Sequence, residues 1–181
     1  MRIISGKLKG RVLKSFHGPH IRPTTDRVKE TMFNILQGNV PDARVLDLFS
    51  GTGNLSFESF SRDAEYVEAV EKHPESLKVI FENIKLLKLE GQIKVVKQDV
   101  FDYIKKYSGE PFDLIFIDPP FTESWADKVM TEVSKSKLFL PHTVIAIESA
   151  KREKLQSEYG SLRAIDTRHF GDKILTLFKG Q

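Results

Sequence analysis

From residue 44 onward, short apolar runs of strand composition alternate with stretches of helical periodicity, and that alternation leaves few folds open. The runs cover 44–49, 66–71, 93–98, 113–118, 143–149 and 174–179, and the segments 54–62, 74–89, 100–107 and 124–137 between them read as helices. Strands that each hand over to a covering helix return parallel and buried on both faces, so the pattern predicts a doubly covered α/β sheet. In 74–89, Leu77, Ile80, Phe81, Ile84 and Leu87 recur at helical spacing behind Pro74 in the first turn. Ser124, with Asp127 three residues on, resembles a capping pair. The rhythm changes at the end, where 162–170 and 173–179 are joined by Gly171-Asp172, so a final antiparallel hairpin is expected.

Ahead of the sheet, residues 2–14 predict a hairpin turning near Lys7-Leu8-Lys9-Gly10, and 25–37 a helix capped by Thr25. With 181 residues there is room for one domain over 41–181 and an appendage over 1–40. Residues 1–40 hold eight basic side chains against two acidic ones, whereas the rest of the chain holds twenty against twenty-three. A basic arm on a mildly acidic body suits a protein that grips a polyanion with one end, although eight cations scattered for solubility would give the same sum.

The absence of cysteine removes disulfides, thiolate zinc and a cysteine nucleophile. His17 and His20 flank Gly18-Pro19 without a neighbouring acid, so no metal is expected. No apolar run reaches the roughly 20 residues that span a bilayer, and Met1-Arg2-Ile3-Ile4 has no signal-peptide core; a cytoplasmic chain without membrane contact is expected.

Two segments carry chemistry. The first is Val45-Leu46-Asp47-Leu48-Phe49-Ser50-Gly51-Thr52-Gly53, an apolar strand running into a glycine turn and a helix. Open α/β sheets bind cofactors at the carboxyl ends of their strands, and residues without Cβ let the backbone approach a ligand. A dinucleotide fingerprint wants a third glycine where Ser56 stands, which disfavours NAD. Asp47 is a carboxylate able to face a cationic amino or sulfonium group. Glu71, closing the second run, can accept both hydroxyl hydrogens of a ribose, and Asp99 with the Val100 N–H can meet an adenine edge. Each acid taken singly reads equally well as a helix cap or a solvated charge.

The second segment is Asp118-Pro119-Pro120-Phe121, behind the apolar run 114–117. Two prolines stiffen the backbone and remove two N–H donors, leaving carbonyl oxygens and a carboxylate as an acceptor-rich rim. An exocyclic amino group fits that rim, with Phe121 stacking on its ring; base stacking contributes about 1–3 kcal/mol. Trp125 is equally suited to a pocket wall or to the core.

These residues resemble the class I, S-adenosylmethionine-dependent methyltransferases, and among them the bacterial small-subunit ribosomal RNA guanine-N2 methyltransferases of the RsmD type. The glycine turn 47–53, Val70-Glu71 and Asp118–Phe121 look like the general methyltransferase motifs. Arg2-Ile3-Ile4-Ser5-Gly6 with Gly10-Arg11, and the run from Arg22-Pro23-Thr24-Thr25 to Asn34, look like the subfamily's N-terminal hairpin and helix. Ser56 and Asp63 depart from it, standing where glycine is common.

The resemblance implies a seven-stranded, mostly parallel sheet ending in the antiparallel hairpin. It implies S-adenosylmethionine held by Asp47, Ser50, Gly51, Thr52, Gly53, Asn54, Glu71, Asp99 and Val100, with Asp118, Pro119, Pro120 and Phe121 as the catalytic segment. Lys7, Lys9, Arg11, Arg22, Thr24 and Arg27 would contact RNA. The acceptor implied is a guanine of small-subunit (16S) ribosomal RNA, numbered 966 there, presented to a monomeric enzyme by an assembled or partly assembled 30S subunit. Adenine-N6 DNA methyltransferases share the Asp-Pro-Pro-aromatic element, and a non-catalytic RNA-binding assembly factor would keep the same fold.

Overall fold

The computed structural model describes residues 1–15, 26–120 and 123–181. Arg22, Thr24 and Phe121 lie outside the described residues, as do the expected cap Thr25, His17 and His20, and the side chain of Arg27. A helix α1 (Asp26–Ile35) precedes β1 (Arg44–Leu48), α2 (Asn54–Ser61), β2 (Tyr66–Glu71), α3 (Pro74–Leu87), β3 (Lys94–Lys97), α4 (Val100–Lys106), β4 (Phe112–Ile117), α5 (Ala126–Val133) and β5 (Phe139–Ala150). Three antiparallel strands follow, β6 (Glu158–Tyr159), β7 (Leu162–Phe170) and β8 (Lys173–Gly180). The sheet order is β3-β2-β1-β4-β5-β8-β7-β6, parallel through β5 and antiparallel beyond it.

Alternate residues of the central strands feed two cores, as the pleat requires. Val45, Ala69, Phe116 and Ala146 face α1, α2 and α3, while Leu46, Val70, Ile115 and Ile147 face α4 and α5. Phe33 of α1 sits fully buried against Phe116, ring centroids 5.3 Å apart. Burial of such a side chain contributes about 1.5–3 kcal/mol.

The sequence expectations hold for element type and differ in detail. The sheet has eight strands rather than seven because the two-residue β6 joins the edge, with Gly160 at φ 58 in the turn before β7. The capping role expected of Ser124 is not realised: Ser124 takes φ 51, Trp125 precedes the helix, and the Ala126 N–H is instead met by Glu153 Oε1 at 3.1 Å. Asp127 accepts a hydrogen bond from the Tyr159 hydroxyl at 2.6 Å, which holds the edge hairpin to α5.

The N-terminal hairpin is reduced to a single antiparallel bridge, Arg2 to Val12, and its stability comes from docking. Ile3 and Leu13 are buried in the same core as the sheet. The Ile4 and Ser5 N–H groups donate to the two carboxylate oxygens of Glu58 on α2 at 2.8 and 3.1 Å. Lys7 and Leu8 N–H groups donate to the Ser61 carbonyl and hydroxyl at 2.7 and 2.9 Å. Gly6 is required there: its φ is +80, and a Cβ would stand 1.7 Å from the Ser61 carbonyl oxygen.

Candidate active site

Chain geometry builds the crevice at the carboxyl ends of β1, β2 and β4. After β1 the backbone turns at Phe49 (φ 65), and Ser50 stitches the turn to β2 by donating its N–H and hydroxyl to the Val70 carbonyl at 3.0 and 3.2 Å. Gly51 (φ 54) and Gly53 (φ 81) both occupy the left-handed region. Their surroundings differ. A Cβ on Gly53 would press on the Phe57 ring at 2.7 Å, whereas one on Gly51 meets nothing nearer than a backbone oxygen at 3.9 Å. Gly53 therefore lets α2 pack on the turn, and Gly51 leaves a face open for a ligand.

Three acids end three neighbouring strands or follow them, as the sequence predicts, and each is already engaged. Glu71 accepts hydrogen bonds from the Gly51, Lys72 and His73 N–H groups at 2.8, 2.7 and 2.8 Å, which leaves part of its acceptor capacity for a diol. Asp99 caps α4 by accepting from the Phe101 N–H at 2.9 Å and pairs with Lys72 Nζ at 3.0 Å. Partial burial pushes its carboxyl up, but the lysine and the backbone donors hold it below the usual carboxylate range. Val100 is buried directly behind it.

Asp47 is 1% exposed and faces α2, where its Oδ2 accepts from the Ser56 N–H at 3.1 Å and the Ser56 hydroxyl at 2.5 Å. Burial raises its pKa to about 7 against the lowering effect of Ser56, with the charges of Asp118 and Glu71 adding to the rise. The departure at Ser56 thus has a partner: it supplies the hydroxyl that braces the strand-end acid.

Asn54, the first residue of α2, is buried, and its Oδ1 accepts from Lys29 Nζ at 2.9 Å. An ammonium only donates, so this contact fixes the amide orientation and leaves Nδ2 a buried donor with no hydrogen-bond partner among the described residues. Such a group calls for an acceptor from a ligand. Thr52, also buried, donates its hydroxyl to the Met1 sulfur at 3.6 Å. The open face at Gly51, the spare capacity of Glu71 and the Asn54 donor together fit a ligand carrying a ribose and a carboxylate.

Asp118 enters beside this turn because β4 pairs in parallel with β1, Leu48 opposite Ile117. Pro119 is buried, while Asp118 and Pro120 are half-buried at the rim. The Pro120 carbonyl accepts from the Glu123 N–H at 3.2 Å. Trp125, for which the sequence left two roles open, stands among Phe49, Phe101 and Lys72: its ring centroid is 6.0 Å from that of Phe49 and 5.6 Å from that of Phe101, and Lys72 Nζ lies 5.4 Å above it. These residues follow β1, β2, β3 and β4, so the aromatic group sits at the carboxyl edge; only the topology assembles it, and Phe49, Lys72 and Phe101 escaped the sequence reading.

Of the basic arm, Lys7, Lys9 and Arg11 are exposed, and Lys7 stacks over Phe60 at 3.9 Å and pairs with Asp63 at 3.4 Å. Lys29, counted with that charge in the sequence, is instead fully buried, donating to the Arg2 carbonyl at 2.7 Å and pairing with Glu58 at 3.1 Å.

Five parallel strands, an antiparallel hairpin beside β5 and a glycine turn facing an acid-proline rim define the class I methyltransferase architecture. The chain belongs to the family described as conserved hypothetical protein 95, whose model matches residues 1–179. It is 34% identical to the ribosomal RNA small subunit methyltransferase D of Haemophilus influenzae, over 86% of this chain and 81% of that one. It is 33% identical to the protein of the same name from Escherichia coli K12, over 82% of this chain and 74% of that one. The solved structure of Escherichia coli yhhF superposes with a TM-score of 0.88 at 28% identity, covering 100% of this chain and 98% of the other.

Proposed function

We propose that this protein transfers the methyl group of S-adenosylmethionine to the exocyclic N2 of a guanine in small-subunit ribosomal RNA, the guanine numbered 966. The names of its relatives support the class of substrate. The observation that carries the reading is the pairing of Leu48 with Ile117, which sets the Asp118 rim next to the open face of Gly51. Residues 1–40 are assigned to holding RNA and 41–181 to transfer, in a monomeric cytoplasmic enzyme that meets its substrate in an assembled or partly assembled small subunit.

When bound, S-adenosylmethionine supplies a methyl group on a sulfonium, already activated for displacement. Glu71 would hold the ribose, Asn54 Nδ2 the carboxylate, and Asp99 with Val100 the adenine. Asp118 and the Pro119 carbonyl would each accept one amino hydrogen of the guanine, which turns the nitrogen lone pair toward the methyl. Pro119 and Pro120 offer no N–H, so the rim presents acceptors to the amino group. Phe121 is assigned the stacking role from its place in the sequence. Orientation supplies much of the rate in such a displacement.

The test is mass spectrometry of nucleosides from small subunits prepared without this enzyme, then incubated with it and the methyl donor. N2-methylguanosine is the expected product. Methylated adenine in DNA would replace the reading with the N6 alternative, and calorimetry without detectable donor binding would replace it with the assembly factor.

A further inference from the structure

We infer that the loop after β5, Lys151-Arg152-Glu153-Lys154, is a second phosphate-contacting surface that grips the RNA beside the Asp118 rim, at the carboxyl edge of the sheet. The inference rests on the reading of RNA as substrate and names a surface for it that charge counting in the sequence does not locate.

The loop's composition alone is ambivalent, three cations and one acid. The structure separates them. Glu153 turns inward: Oε1 accepts from the Ala126 N–H at 3.1 Å and Oε2 from the Ala150 N–H at 2.8 Å. Lys151, Arg152 and Lys154 are exposed, and among the described residues no carboxylate pairs with Lys151 or Lys154. The acid is thus consumed as a fastener while Lys151 and Lys154 face solvent. The loop is also fixed in place, with the Lys151 N–H donating to the Asp172 carbonyl at 2.8 Å and the Glu153 N–H to the Ala150 carbonyl at 2.8 Å. A fixed loop loses less conformational freedom on binding than a mobile one.

Its position gives the charge a purpose. β5 runs parallel to β4 with Ile147 opposite Ile117, so the loop leaves the same sheet edge as Asp118 and stands three residues, about 10 Å, further out. Glu153 ties it to the first residue of α5, the helix that follows the rim segment. Lys7 of the arm, by contrast, docks at the last residue of α2 and beside Asp63, ahead of β2 and so at the opposite, amino edge of the sheet. An RNA with one base in the rim therefore meets the cations of this loop at the same edge. Lysine and arginine without a base-edge geometry position a polyanion through its phosphates rather than read sequence.

The test compares the wild-type protein with Lys151→Ala/Lys154→Ala and with the triple variant that adds Arg152→Ala. Binding of a labelled small-subunit ribosomal RNA transcript is followed by fluorescence anisotropy from low to high salt, beside methyl-transfer kinetics on small subunits. Loss of phosphate contacts flattens the plot of log affinity against log salt by about 0.7 per contact, so by about 1.4 for the double variant and by at least as much for the triple. The expected loss falls on KM, roughly tenfold near 0.15 M salt, with donor affinity by calorimetry unchanged. A salt slope and KM equal to wild type in both variants would overturn the inference. Should the wild type bind the transcript yet methylate nothing, the reading of the reaction falls, and the slope comparison alone still decides the loop.

Discussion

Lys29 Nζ stands 3.1 Å from Glu58 Oε2, and both side chains are completely buried. The pair joins α1 to α2, and Glu58 also takes Arg62 Nε at 2.8 Å and the Ile4 and Ser5 N–H groups, so one carboxylate gathers the N-terminal strap and two helices, while Lys29 reaches Asn54 at the end of the glycine turn. Stranding a buried charge with no other partner costs about 3–5 kcal/mol, but Glu58 keeps Arg62 and the two amides when Lys29 is replaced. Lys29→Met should therefore lower stability by less than that in urea unfolding, and it should weaken donor binding beyond what unfolding explains, because Asn54 loses its fixed orientation.

Gly6→Ala should detach the strap. The added methyl would overlap the Ser61 carbonyl, a backbone group with little freedom to retreat, in a left-handed backbone that alanine disfavours. Hydrogen exchange at the Lys7 and Leu8 amides should accelerate by at least tenfold, with the β1 and β4 amides less affected.

Asp118→Ala should abolish turnover while donor binding by calorimetry persists, since Asp118 lies on the rim and the proposed donor contacts lie on other residues. A loss of at least a hundredfold in kcat is expected if orientation of the amino group is its task. Asp118→Asn keeps one acceptor and should retain part of the rate.

Asp47 ties stability to pH. Its folded pKa, about 7, exceeds the ordinary 3.8, so between roughly pH 4 and 7 the folded chain holds a proton that the unfolded chain releases. Stability from this group therefore falls as pH rises through that window and is lowest above it. Asp47→Asn should flatten that portion of the profile, measured as urea midpoints at pH 5 and 8. Ser56→Ala removes a donor that favours the charged form, so the decline should continue to higher pH.

The helix and strand alternation was legible because β1 and β4 are apolar enough to be buried on both faces, and the glycine turn followed from Gly51 and Gly53. The strand-end acids were legible as a set, since Glu71 and Asp99 stand where successive strands stop. Their present partners were not: Gly51 and Glu71 are twenty residues apart, and only the parallel pairing of β1 with β2 brings them together. Lys29 misled for a similar reason. A lysine in a basic segment reads as solvated until the helix that buries it is known, and its acid lies on a different helix. The β6 edge strand was too short to leave a periodic signal, and nothing in the sequence marks Glu153, whose two backbone contacts lie on separate elements.

The three backbone amides that grip Glu71 come from two places, one from the turn after β1 and two from the start of the loop after β2. A carboxylate clasped by main chain at both oxygens keeps its direction without help from a neighbouring side chain, so the two strand ends it joins are riveted into one piece.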